Sequence, residues 1–310
     1  RASQPLSPSE AGIASDAYAF VQGMDLSAEA ATHPLMVQLT GFAFFLFGDT
    51  DAVARLIPLL AGIGVLAAIL WIERWIGTPA AIFSAIVWAI SPVMTMSSLR
   101  LDAGGPLVLT SIAIFFLARN QSESPSHTKA VLLGLATVAA LTAHPLGWLS
   151  APLALVISYR PRSTDQLVDA ALLFIIGFLA GLIVISTYVF TKLGGLLSFL
   201  TESPSVLWNG YLISLGGDWL LALLTLAIDG TLALSLGILA VVLIAFRVGP
   251  PVIRDDETFP RLAVLAGAYL VLRVALDGFG AALGSGAATP LVILAGGGLA
   301  TIYRARRTAR

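Results

Sequence analysis

Four groups of residues in this chain have types and spacing suited to chemistry. The first is SPSEAGIASDAYAFVQG at 7–23, where Glu10 and Asp16 stand on one helical segment with Ser9 read as its N-cap. A carboxylate at a membrane edge can take a proton from a hydroxyl acceptor; the plain alternative is a solvated loop acid. The second is SPVMTMSSLRLDAGG at 91–105, where Arg100 and Asp102 share a short turn. Arginine grips phosphate through a planar fork of donors, and the alternative is a snorkelling anchor paired with its neighbour. The third is LTAHPLGW at 141–148, whose His144 could bind phosphate or act as an acid, or simply cap a turn. The fourth is Arg273 with Asp277, four apart on one helix face, where an ion pair is the default. Lys192 and Glu202 are lesser candidates in a loop between apolar runs.

The elements that must position these residues are long apolar runs separated by short polar loops. The pattern predicts an all-α polytopic bundle with nine transmembrane helices, near 53–72, 79–97, 103–119, 129–144, 146–159, 167–190, 220–246, 259–277 and 285–303. Interfacial helices on the outer face complete it, one of them within 33–49, which is apolar but short for a span. The domain reading is an outer segment over 1–52, a membrane domain over 53–303 with an outer loop near 191–219, and a basic tail over 304–310. On this map the inner connections hold Arg74, Arg119, Lys129, Arg160, Arg162, Arg247, Arg254, Arg261, Arg304, Arg306, Arg307 and Arg310, twelve of the seventeen basic residues. The positive-inside rule then places the N-terminal segment outside and the C-terminus in the cytoplasm of a prokaryotic plasma membrane. Residues 1–34 need an upstream helix or a signal peptide to reach the outside, and an upstream helix is the expectation.

Composition narrows the function. A hydrophobic fraction of 57%, charged residues at 11% and a mean hydropathy of +0.91 exclude an ordinary soluble domain. The runs are continuous rather than alternating, which argues against a transmembrane barrel. A formal charge of −1 gives no sign of nucleic-acid binding. With no cysteine and three histidines, neither a disulfide nor a multi-histidine metal cage is expected, so the metal expectation is none.

The order of the pieces carries a resemblance. An acid segment is followed by an H-P turn, "LFGDTDAVARLIPLLAGI" at 46–63, "SPVMTMSSLRLDAGGPLVL" at 91–109 and "GLATVAALTAHPLGWL" at 134–149. This resembles the GT-C superfamily of membrane glycosyltransferases, in the branch of protein O-mannosyltransferases and aminoarabinose transferases, over roughly residues 7–150. The resemblance implies a polyprenyl-phosphate sugar as donor, transferred on the outer face; no further cofactor is indicated. It implies Glu10 as the acceptor-activating base; Asp16, on the same segment, is a further catalytic candidate by its residue type alone. His33, Arg55, Arg100, Asp102 and His144 fall on its binding elements, and Lys192 and Arg273 join the substrate-binding candidates by their charge. The acid motif reads Ser-Glu where the family has an acid pair. Three functions therefore stand side by side: a lipid-linked sugar transferase, a non-catalytic GT-C-like subunit of a larger membrane complex, and a lipid or solute transporter. The partners expected are membrane lipid, a lipid-linked sugar and other membrane subunits.

Overall fold

The computed structural model describes residues 5–27, 33–91, 98–101, 104–160 and 163–192, with a few further positions among 30, 95, 199, 261–266 and 293–300. Every regular element among the described residues is a helix. In chain order these are α1 (Pro8–Val21), α2 (Pro34–Phe47), α3 (Asp51–Ala54), α4 (Leu56–Trp71), α5 (Glu73–Ile76), α6 (Thr78–Ile90), α7 (Gly104–Glu123), α8 (His127–Ala143), α9 (Gly147–Ser158) and α10 (Thr164–Lys192).

Local signals explain where the helices start and stop. Ser7, not Ser9, caps α1: its Oγ accepts from the Glu10 N–H at 3.4 Å and its own N–H donates to Glu10 Oε2 at 2.9 Å, a reciprocal capping box. Pro8 follows at the first helical position, where its missing N–H costs nothing. Pro34 opens α2 in the same way. Gly48 and Gly77 stop α2 and α5 with φ of 88° and 82°, a region costly for any residue with a Cβ. Helix α6 ends at Ile90, short of the expected 97, because Ser91 precedes Pro92 and is pushed to an extended conformation. Helix α7 runs past the expected 119 to Glu123. The polar stretch after Arg119 stays helical, and buried Gln121 accepts from the Ser126 N–H at 3.0 Å, closing a turn shorter than the loop expected over 120–129.

Six of the expected spans meet described helices. Those at 220–246, 259–277 and 285–303, with the 191–219 loop, fall wholly or largely outside the described residues. Among the described residues, Asp51–Ile76 and Gln166–Ile185 are long and apolar enough to cross a membrane. Helix α10 presents an unbroken apolar stripe: Leu172, Ile175, Ile176, Leu179, Ile183 and Val184 are each half or more exposed. Spacings of three, four and seven put them on one face, and such a face suits hydrocarbon rather than water.

Inside the bundle, α7 packs against α4, α8 and α9, and α8 packs against α10. Phe115 and Phe116 of α7 are wholly buried at the centre of the main core, meeting edge to face. Hydroxyls on these helices bond back to the carbonyl one turn earlier: Ser122 to Ala118, Thr137 to Leu133, Thr142 to Val138 and Ser158 to Ala154. This settles polar groups that no water reaches in a hydrocarbon-facing bundle. A second, smaller core joins α1, α2, Ala54 and Leu101, and it carries the candidate site.

Candidate functional site

Glu10 and Arg55 lie 45 residues apart in sequence and meet in a buried pair, each less than 10% exposed. Arg55 Nε donates to Glu10 Oε1 at 3.1 Å, and a terminal guanidinium nitrogen donates to Oε2 at 3.2 Å. The same nitrogen reaches the Pro5 carbonyl at 3.3 Å. Glu10 Oε1 also accepts from the Leu101 backbone N–H at 2.9 Å. With the Ser7 N–H on Oε2, each carboxylate oxygen accepts two hydrogen bonds. Burial alone would raise the Glu10 pKa, but the Arg55 fork and the Ser7 and Leu101 amides outweigh it and hold the carboxyl at about 2.

Local geometry makes this possible. The capping box aims Glu10 back toward the start of α1. Arg55 occupies the joint between α3 and α4, with φ −83° and ψ 0°. Leu101 follows the last turn before α7, and its side chain is buried in the small core beside Ala17, Met36 and Ala54. One carboxylate thus ties the amino-terminal helix to the beginning of α4 and to the turn before α7. Arg100 is next to that amide, is exposed, and pairs with no acid among the described residues.

A second group joins His33 and His144. Their rings stack with centroids 5.2 Å apart and planes at 24°. His33 precedes Pro34 at the start of α2, and His144 ends α8. His144 Nδ1 accepts from the Leu146 N–H at 3.0 Å, which leaves the ring proton to Nε2.

Asp16 lies elsewhere on α1 and is committed to Ser27: Oδ1 accepts from the Ser27 N–H at 3.1 Å and Oδ2 from its hydroxyl at 2.8 Å. That bond fastens the loop after α1. Lys192 ends α10, with its side chain outside the described residues. Asp102 and Arg273 also lie outside them. No group of three or more metal-ligating side chains occurs among the described residues.

Two partners of Glu10 escaped the sequence reading. Ser7 was legible, since S-x-x-E over 7–10 is the capping-box signature and competes with Ser9 for the cap. The Leu101 amide carries no such signal, because a backbone donor is indifferent to residue type.

The whole chain can be set beside solved structures. It matches ArnT from Cupriavidus metallidurans, bound to undecaprenyl phosphate, with a TM-score of 0.72 at 17% identity over 95% of this chain and 56% of that one. It also matches the archaeal oligosaccharyltransferase AglB from Archaeoglobus fulgidus, in complex with an inhibitory peptide and a dolichol-phosphate, with a TM-score of 0.60 at 14% identity over 98% of this chain and 48% of that one. The chain has a GT-C-type fold. It spans about half the length of the two GT-C structures it matches. No protein-family model and no curated protein sequence matches it. The GT-C fold thus stands on three-dimensional arrangement together with the ordered motifs, at an identity where pairwise sequence comparison alone is mute.

Proposed function

We propose that this chain is an integral membrane protein that moves a sugar from a polyprenyl-phosphate donor to an acceptor at the outer ends of its helices. The observation that carries the reading is the Glu10–Arg55–Leu101 junction within a GT-C-type fold. It fixes an ionised carboxylate beside an exposed arginine where the first three parts of the fold meet. Two solved structures of this fold are described with a lipid phosphate bound, which supports the same donor class here. Under this reading the bundle has nine spans, the segment over 1–52 faces outward and the Arg-rich tail inward. Arg100 and Asp102 line the donor phosphate, with His33, His144, Lys192 and Arg273 as further contacts. The acceptor attacks the anomeric carbon, the bond to the phosphate oxygen breaks, and the departing phosphate keeps the electron pair opposite Arg100. The acceptor's proton passes to a carboxylate, Glu10 or Asp16.

A second reading draws on the same junction. A carboxylate with a pKa near 2 and four hydrogen bonds is a poor proton acceptor until something displaces Arg55. That favours Glu10 as a fastener and the chain as a non-catalytic subunit. Glu10→Gln separates the two, because the amide retains an acceptor oxygen but no charge. With labelled polyprenyl-phosphate sugar, the transferase reading expects a slowing of about a hundredfold with a folded variant. Transfer at the wild-type rate removes Glu10 from the chemistry. Absence of transfer in the wild type, with partner chains co-migrating in mild detergent, turns the assignment to the subunit.

A further inference from the structure

At the far end of α4 from Arg55, some 24 Å along a 16-residue helix, a second site is built from aromatic rings and one cation. The Arg74 guanidinium lies over the Trp75 ring at 4.1 Å from its centroid and over the Trp71 ring at 4.5 Å. Trp71 and Trp75 meet edge to face at 76°, so the two rings form a corner around the cation. The corner is rigid on one side: Trp75 stacks on buried Phe116 at 5.4 Å, and its indole N–H donates to Glu123 Oε2 at 3.0 Å. Trp71 is half exposed and Arg74 is exposed.

The acids nearby are already engaged. Glu123 holds Trp75 through one oxygen and Arg119 through the other, the latter at 3.2 Å. Glu73 accepts from the Thr78 hydroxyl. No acid among the described residues pairs with Arg74. Both rings lie against its guanidinium, whose N–H donors suit a phosphate. The same end gathers Arg119, Lys129, Arg160 and Arg261, tied to the last turns of α7 and α9: Lys129 Nζ to the Ser124 carbonyl, the Arg160 N–H to Ser122 Oγ, and Arg261 to the Ser158 carbonyl. Five cations stand at this end with Glu73, Glu123 and Asp169 as its acids among the described residues.

We infer that Trp71, Arg74 and Trp75 form a headgroup site for an anionic phospholipid of the bilayer leaflet at this end. The phosphate sits on the Arg74 edge, Trp71 lies at headgroup level, and the exposed Leu70 beside it meets the acyl chain. A tryptophan belt alone prefers no lipid charge; a cation set in it and left without an acid does. The inference rests on the chain lying in a bilayer and not on sugar transfer.

Purified protein in mixed micelles of equimolar phosphatidylglycerol and phosphatidylcholine, stripped stepwise and read by native mass spectrometry, tests this. The wild type retains phosphatidylglycerol over phosphatidylcholine, and Arg74→Gln lowers that retention about fivefold, the worth of one basic residue at an anionic surface. Trp71→Ala, at an exposed position, lowers it about twofold by opening the corner. Lys129→Gln removes an equal charge from the same end and leaves retention unchanged. Equal loss in Lys129→Gln and Arg74→Gln would show diffuse attraction and overturn the site, as would wild-type retention by Arg74→Gln. Displacement of the lipid by inorganic phosphate alone would overturn the lipid assignment. Failure to incorporate into micelles would instead sink the membrane reading.

Discussion

Arg55→Ala should cost this protein about 3–5 kcal/mol of stability, the penalty for leaving a buried charge without its partner. Glu10 is less than 10% exposed and would keep only the Ser7 and Leu101 amides. Glu10→Ala should be comparably severe, since it strands a buried guanidinium and also removes half the capping box of α1. The double replacement by leucine should be milder than either single change, because the desolvation of both charges disappears with the pair. Melting temperature and denaturant midpoint in detergent measure all three. If Arg55→Ala melts with the wild type, the pair is peripheral and the account of the junction fails.

The same junction makes the protein acid-sensitive, and the sign is fixed by the direction of the shift. Glu10 binds its proton less readily folded than unfolded, with its pKa lowered from 4.5 to about 2. Its stabilisation is therefore fully present above pH 4.5 and is lost as the pH falls toward 2. Acid unfolding should begin below pH 4.5, and the pH dependence of the melting temperature should flatten there in Glu10→Gln.

Much of this was legible in the sequence, and what was not shares a cause. Continuous apolar runs gave the helices, since hydrocarbon-facing segments must satisfy their own backbone. The ends were harder. Pro92 cut α6 at Ile90, while no charge or proline stopped α7 before Glu123. Arg55 and Glu10 were both visible as candidate residues, but nothing in their spacing announced contact across 45 positions. The resemblance assigned them to different tasks, base and binding residue, where the fold makes them a single unit. His33 and His144 were likewise read separately and are stacked. Long-range pairing depends on how helices are laid side by side, and local pattern encodes only which face each one hides. Arg74 illustrates the reverse: counted as one charge among twelve on the inner side, it proves to be seated in a corner of two tryptophans that adjoin it in sequence.

Gly177→Leu should separate α8 from α10 and cost about 3 kcal/mol, the upper part of the range for forcing extra atoms into a packed contact. A Cβ at Gly177 would run into the Val131 carbonyl, and one at Gly134 would run into the Phe174 carbonyl and, at 2.6 Å, the Phe178 amide nitrogen. Both obstacles are backbone, which no rotamer change can relieve. Each glycine therefore lets the partner helix's main chain come close at the same crossing, the arrangement by which small residues hold helices together where lipid supplies no hydrophobic drive. One turn on, Gly181 faces the side chains of Leu135 and Val138 at 3.2–3.3 Å and should tolerate alanine better. Gly177→Ala and Gly134→Ala combined should cost less than their sum, because the first already opens the contact that the second would break. Gly12 is the internal control. It too is helical, on α1, but a Cβ there meets nothing within 4 Å, so Gly12→Ala should stabilise by up to ~1 kcal/mol through backbone entropy alone. Melting curves of these variants in one detergent decide the matter. Opposite signs at Gly12 and Gly177 are expected. A stabilising Gly177→Ala would mean that α8 and α10 do not touch through these glycines, and the way α10 is held to α8 would have to be redrawn.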